Sequence, residues 1–186
     1  MDKKLITVLS ILGLIVAAYV INMSIQRGYN SKEKELILVN QNDINKIVIS
    51  ANQDAIELMK IDSTWIISGN DTLNIKGDAI ENFFDKIFNL NRKHLVTSKE
   101  ENWINYGLDE QSGYHLAFIN NNGETIAYYV FGRSKTEYNI CYVRTNKNSD
   151  VYLLDNNIIF QLQTNPTFWG SKPVLEETNL EPIIPE

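Results

Sequence analysis

The chain has one cysteine, two histidines and four prolines in 186 residues, and each shortage removes a class of architecture or chemistry. A lone Cys141 forms no internal disulfide, so the fold rests on its apolar core, and the residue is expected buried in a strand. With His94 and His115 alone there is no His-x-x-x-His pair. There are also no paired cysteines, no glycine-rich phosphate loop after a strand and no Gly-x-Ser-x-Gly. His94, His115 and Cys141 could converge on a metal or catalytic cluster, but each sits in a strand-like context that reads as packing. Neither a cofactor nor a metal is expected. Prolines occur only at positions 166, 173, 182 and 185.

Basic charge is also short. From Ser24 onward 15 basic residues (17 less Lys3 and Lys4) face 22 acidic ones (23 less Asp2), a balance of −7. Such a surface repels phosphates and anionic headgroups, which excludes nucleic acid as an expected partner.

What is present begins with an apolar run. Leu5 to Met23 is 19 residues without a charge, directly after Lys3 and Lys4. At about 1.5 Å rise per residue it matches a hydrocarbon core of roughly 30 Å, so it reads as one transmembrane helix. A cleaved signal peptide and a buried core helix are the rivals. Against the first stand the length of the run and the lack of a small-x-small site in AAYVINMSIQ; against the second, the lack of a polar face. Basic residues flank both ends, so orientation rests on the short stub before the helix. Residues 1–25 are expected as stub and membrane anchor, with the C-terminal part extracytoplasmic, at the inner (cell) membrane. Residues 26–43 follow as a stalk, 44–170 as the folded domain, and 171–186 as an extended tail.

Within 44–170, INKIVIS, AIELMKI and TWIIS alternate as three successive antiparallel strands, with Leu73 to Ile75 as a short fourth. Ile47, Ile49, Ile56, Leu58, Trp65 and Ile67 then share one face. A helix from Ala79 to Leu90, opened by an Asp78/Glu81 capping box, presents Ile80, Phe83, Phe84, Ile87 and Phe88 to cover it. A second capping box, Ser98/Glu101, opens another helix. Gly107 closes it as a left-handed residue and is the position expected to tolerate substitution least there, with Leu108 folding back on Trp103 or Ile104. YHLAFIN and ETIAYYVFG flank a hairpin loop at Asn121 to Gly123. CYVRT and VYLLD follow, then a helix capped by Asp155 that carries Ile158, Ile159 and Leu162 and ends near Pro166. Strand, strand, strand, helix thus occurs twice. The expected fold is α+β: an antiparallel-sheet domain of two such lobes, about 44–95 and 96–170.

Four short blocks, Tyr106-Gly107-Leu108-Asp109, Gly132-Arg133-Ser134, Tyr142-Val143-Arg144 and Val151-Tyr152-Leu153-Leu154, resemble in order and spacing the bacterial domain-of-unknown-function family 4340. The resemblance runs from about Ile44 to Trp169. It implies a membrane-anchored extracytoplasmic domain associated with ABC-type transport systems of the gliding-motility kind. It transfers no catalytic residue, because none is established for the family. This chain departs from the family by carrying Glu110 and Gln111 where a proline often follows the YGLD block.

Among carboxylates, Glu100 and Glu101 read as first-turn acids and Asp109 as a turn residue, while Glu176 and Glu177 lie in the tail. No pair suggests glycosidic acid/base work. Arg133 and Arg144 border adjacent strands and suit either recognition of a partner's carboxylate or a structural salt bridge to Glu137 or Asp150. Tyr128 and Tyr129 fall on opposite faces, so at least one lies outside the main core and is a candidate contact surface. Gly107, Leu108, Trp65 and Trp103 are structural candidates. The functional expectation is a non-enzymatic accessory or interaction subunit of an ABC-type membrane complex. An anchored envelope enzyme acting on polysaccharide and a ligand-binding sensor are the alternatives.

Overall fold

The computed structural model describes residues 12–21, 34–134, 136–145 and 148–173. Residues 12–21 form a helix, α1, whose large apolar side chains are between 53% and 72% exposed. The rest of the expected Leu5 to Met23 span lies outside the described residues, as does the tail from residue 174. No helix among the described residues is long and apolar enough to cross a membrane.

Antiparallel pairing organises everything else. In chain order the strands are β1 (Lys34–Glu35), β2 (Lys46–Ala51), β3 (Asp54–Ile61), β4 (Thr64–Ile67), β5 (Asn74–Ile75), β6 (Asn91–Thr97), β7 (Tyr114–Ile119), β8 (Thr125–Arg133), β9 (Cys141–Thr145), β10 (Val151–Leu154) and β11 (Gly170–Ser171). Nine of them make one sheet in the order β1-β6-β10-β9-β8-β7-β2-β3-β4, while β5 pairs with β11 in a small second sheet. The three expected N-terminal strands and the 114–133 hairpin form where the alternation places them. Two tight turns, Asn52–Gln53 and Asp62–Ser63, have positive φ at both residues, the geometry that matches the twist of two-residue hairpins.

The two expected lobes share this sheet. Pairing of β2 with β7, with Ile49 opposite Leu116 and Ile47 opposite Phe118, welds the first strand group to the second. One inner face results, carrying Ile47, Ile49, Ile56, Leu58, Ile67, Leu116, Phe118, Tyr129, Phe131 and Val143, all buried. Trp65 lies partly buried beside it against Phe84. Helix α2 (Gly77–Phe88) covers this face with Ile80, Phe83, Phe84 and Ile87. Trp169, on the short helix α3 (Pro166–Trp169), completes the cover, its ring 5.6 Å from that of Phe83.

Five expectations are corrected. The Asp78/Glu81 box does not form: α2 starts after Lys76 with no side-chain cap, and Asp78 lies in the first turn. The Ser98/Glu101 box is likewise unmade, and the segment Glu100–Tyr106 is a 3₁₀ helix preceded by Lys99. The helix expected after Asp155 shrinks to a 3₁₀ turn at Ile159–Gln161. Asp155 instead accepts hydrogen bonds from the Asn91 backbone N–H (3.0 Å) and Nδ2 (2.9 Å), tying β10 to β6. Pro166 starts a helix rather than ending one, since its missing N–H costs nothing at the first position and Asn165 caps the Thr167 N–H. Finally, part of the expected stalk belongs to the domain: β1 pairs with β6, and Leu36 and Ile37 are buried in the core.

Cys141 lies in β9 within that core, and burial pushes its thiol up to about 12. The native protein is expected to resist iodoacetamide at pH 8 and to react once unfolded, because the thiolate is the nucleophile. The folded value lies above the unfolded one. The unfolded chain therefore releases a proton that the native state retains, and stability falls as pH rises through the window from the ordinary thiol value of 9.0 toward 12. Mass-resolved labelling against pH checks both statements; rapid labelling of the native protein would place the thiol outside the core.

Candidate functional site

The outer face of the sheet is only partly covered, and the margin of that cover makes the site. Register places Ser50, His115, Val130, Arg144 and Val151 in one row across β2, β7, β8, β9 and β10. Over the β8 to β10 end of this row folds the 98–113 segment, whose Leu108 is fully buried against Val130 and Val151. Gly107 closes the 3₁₀ helix at φ 64°, and the Leu108 N–H donates to the Trp103 carbonyl at 3.0 Å, so the expected fold-back is onto Trp103. Ile104 stays exposed.

Arg144 holds this cover down. Only 4% exposed, it donates from Nε to the Leu108 carbonyl at 2.9 Å and from Nη2 to Glu110 Oε1 at 2.7 Å. Its guanidinium carbon lies 4.0 Å from the centre of the Trp103 ring. The salt bridge expected with Glu137 or Asp150 is therefore replaced by one with Glu110. Asp109 forms the expected turn, its Oδ1 accepting from the N–H groups of Gln111 and Ser112. Burial pushes the Asp109 carboxyl up, but these hydrogen bonds to Ser112 and Gln111 outweigh it and hold the group below the ordinary carboxylate value.

Where the cover ends, at Gly113, the row continues uncovered. His115, 9% exposed, makes a 2.6 Å hydrogen bond from Nδ1 to the Tyr128 hydroxyl. Burial, and then the charge of Glu110, push the Tyr128 hydroxyl above its ordinary value, against an opposing pull from Arg144. The pair forms one wall of a cleft of about 590 Å³ between the 110–113 loop and the Asn52–Gln53 turn, with Ser50, Asp54 and Glu110 on its sides. Such a volume is in the range of small-ligand clefts. Gly113 presses closely here: a Cβ at this position would lie 2.5 Å from Val130 Cγ1 and 3.5 Å from His115 Nε2.

The sequence-derived surface does not assemble as one patch. Arg144 and Tyr128 share the outer face, whereas Tyr129 is buried in the inner core and Arg133 is exposed at the end of β8, 5.6 Å from the Tyr138 ring. His94 is exposed on β6 and Cys141 lies in the inner core, so these do not join His115. Among the described residues no group of three His, Cys, Asp or Glu side chains could hold a metal ion. Sequence reasoning missed Glu110, Ser50 and Asp54 as neighbours of His115. The one available signal was Glu110 itself, a charge in place of the family's proline. Arg133→Glu is expected to shift stability by less than about 0.5 kcal/mol, as an exposed charge change does, measured by urea melts. A larger loss would mean that Arg133 is built into the fold.

A family model described as a domain of unknown function (DUF4340) matches residues 65–182. No curated protein and no solved structure matches the chain.

Proposed function

The chain belongs to the DUF4340 family, and from that premise we propose that it is a non-enzymatic accessory subunit of the cell envelope, tethered by its N-terminal helix and presenting the outer face of its sheet to a protein partner. The partner assigned by this reading is a component of an ABC-type transport complex, through the resemblance set out above.

One observation carries the tether: the side chains of α1 are apolar and exposed, without a cover from the domain. A helix of that kind is stable in a lipid solvent, where every backbone polar group is satisfied internally and the apolar side chains meet acyl chains. Arg144 bound into the fold argues for partner contact through the surfaces beside it, the cleft and the 98–113 cover.

The test is fractionation and capture of the full-length protein from its native membranes. The protein is expected in the alkaline-carbonate-resistant pellet, and mild-detergent purification should recover it with a transporter ATPase or permease. Recovery from the soluble fraction without its first two dozen residues would end the tether. Repeated purification without any transporter component would end the proposed partnership.

A further inference from the structure

Four features of the cleft at the margin of the outer cover point to the same ligand chemistry. Of its eleven lining residues two, Asp54 and Glu110, are acidic and none is lysine or arginine, so the fixed charge on its walls is negative. The remaining polar side chains from the Asn52–Gln53 turn and Gln111 are amides, whose oxygens accept hydrogen bonds from a bound donor. At its inner wall stands His115, more than nine-tenths buried, whose ring is hydrogen-bonded through Nδ1 to the Tyr128 hydroxyl. When Nδ1–H donates to Tyr128, Nε2 of this cleft-lining residue, 3.5 Å from where a Gly113 Cβ would sit, keeps a lone pair free to accept. The Tyr128 ring adds an aromatic wall to which a cation is attracted.

We propose that this cleft is a binding site for a cationic nitrogen group, an ammonium or guanidinium, held between Asp54 and Glu110 and donating a hydrogen bond to His115 Nε2. Glu110 keeps a second carboxylate oxygen to accept from the ligand, since Arg144 takes only Oε1, while its charge is shared with Arg144 and Asp54 supplies most of the attraction. The site does not depend on the membrane tether or on the transporter partnership, and its failure would leave both standing. The shared chemistry has two sources, a free amine or a basic side chain of a partner protein.

The full chain in nanodiscs of zwitterionic lipid, labelled with ¹⁵N-histidine, reports on the site directly. His94→Gln assigns the two imidazoles. Cadaverine and acetyl-arginine amide are titrated as cations, with maltose and succinate as neutral and anionic controls. The expected result is a saturable shift of the His115 Nε2 resonance with one or both cations and none with the controls; cadaverine alone identifies a free amine, the blocked arginine alone a partner side chain. Two substitutions fall at exposed positions of the rim. Asp54→Asn should weaken binding roughly three- to fivefold, the loss of one exposed charge pair, and Gln53→Lys should abolish it by adding a positive charge. No saturable shift with either cation, an equal response to maltose or succinate, or unchanged affinity in both variants would overturn the site.

Discussion

Gly132→Ala is expected to cost about 3–5 kcal/mol and to lower the melting temperature by roughly 10 °C, in the range reserved for steric conflict inside a packed interior. Gly132 sits on the outer face of β8 opposite Tyr142, at the point where the Tyr106-Gly107 turn rests on the sheet. A Cβ there would lie far within van der Waals contact of the carbonyl oxygen of Tyr106 and 2.6 Å from the carbonyl oxygen of Gly107. Both obstacles are backbone, so no rotamer change relieves them. The turn would have to lift, and with it Leu108 would leave the pocket between Val130 and Val151. Gly107→Ala is the control: the space beside it is ordinary, with the nearest atom at 3.7 Å, and the penalty of about 1–2 kcal/mol comes from the left-handed backbone alone. Thermal and urea unfolding of the two variants should rank Gly132→Ala as the more damaging. Equal losses, or a neutral Gly132→Ala, would show that the turn is not seated on β8.

Removing the guanidinium of Arg144 by Arg144→Ala is expected to cost about 2–4 kcal/mol, from an unpaired buried carbonyl and a lost cation–π contact. The orphan is the Leu108 carbonyl, and the lost stack is with Trp103. Glu110, 73% exposed at its side chain, remains hydrated when its partner goes, so the ion pair itself contributes little. It follows that Glu110→Gln costs about 1 kcal/mol or less, and that a double-mutant cycle between the two returns a coupling well below the Arg144 loss. Arg144→Lys does not restore stability, because a lysine ammonium lacks the planar fork that reaches the carbonyl and the carboxylate while stacking on the indole. Near-equal costs for Arg144→Ala and Glu110→Gln would instead place the energy in the salt bridge.

These results separate two roles that the sequence leaves joined. Arg133 and Arg144 are eleven residues apart on neighbouring strands, and strand alternation with a hairpin between them does not reveal which is buried. Register decides it: Arg144 faces Val130 under the 98–113 cover, while Arg133 stands opposite Cys141 at the open end of the pair. Similarly, Tyr128 and Tyr129 are assignable to opposite faces by period two alone, but only the packing of Phe118 and Phe131 identifies the Tyr129 face as the core.

Strand β6 was legible only as a strand-like setting for His94, without bounds or a face, for a related reason. Its sequence, NRKHLVT, has no run of alternating apolar residues, because most of its side chains are only half-buried near the sheet edge. Its strand character comes from β10, whose Val151 and Tyr152 pair with Thr97 and Leu95. The capping boxes failed in the opposite way. Ser98 and Asp78 have the right spacing to a glutamate, but each helix starts at a residue set by where the chain leaves the sheet.

Local patterns by themselves determined the antiparallel strands, the 114–133 hairpin, the apolar stripe of α2 and the left-handed Gly107, because each depends on periodicity or backbone sterics within a few residues. Only the tertiary structure decided that the two strand groups make one sheet, that Arg144 pairs with Glu110, and that Asp54, Glu110 and His115 meet around one cleft. Those outcomes depend on register between strands far apart in sequence, where one residue of slip would turn every side chain to the other face.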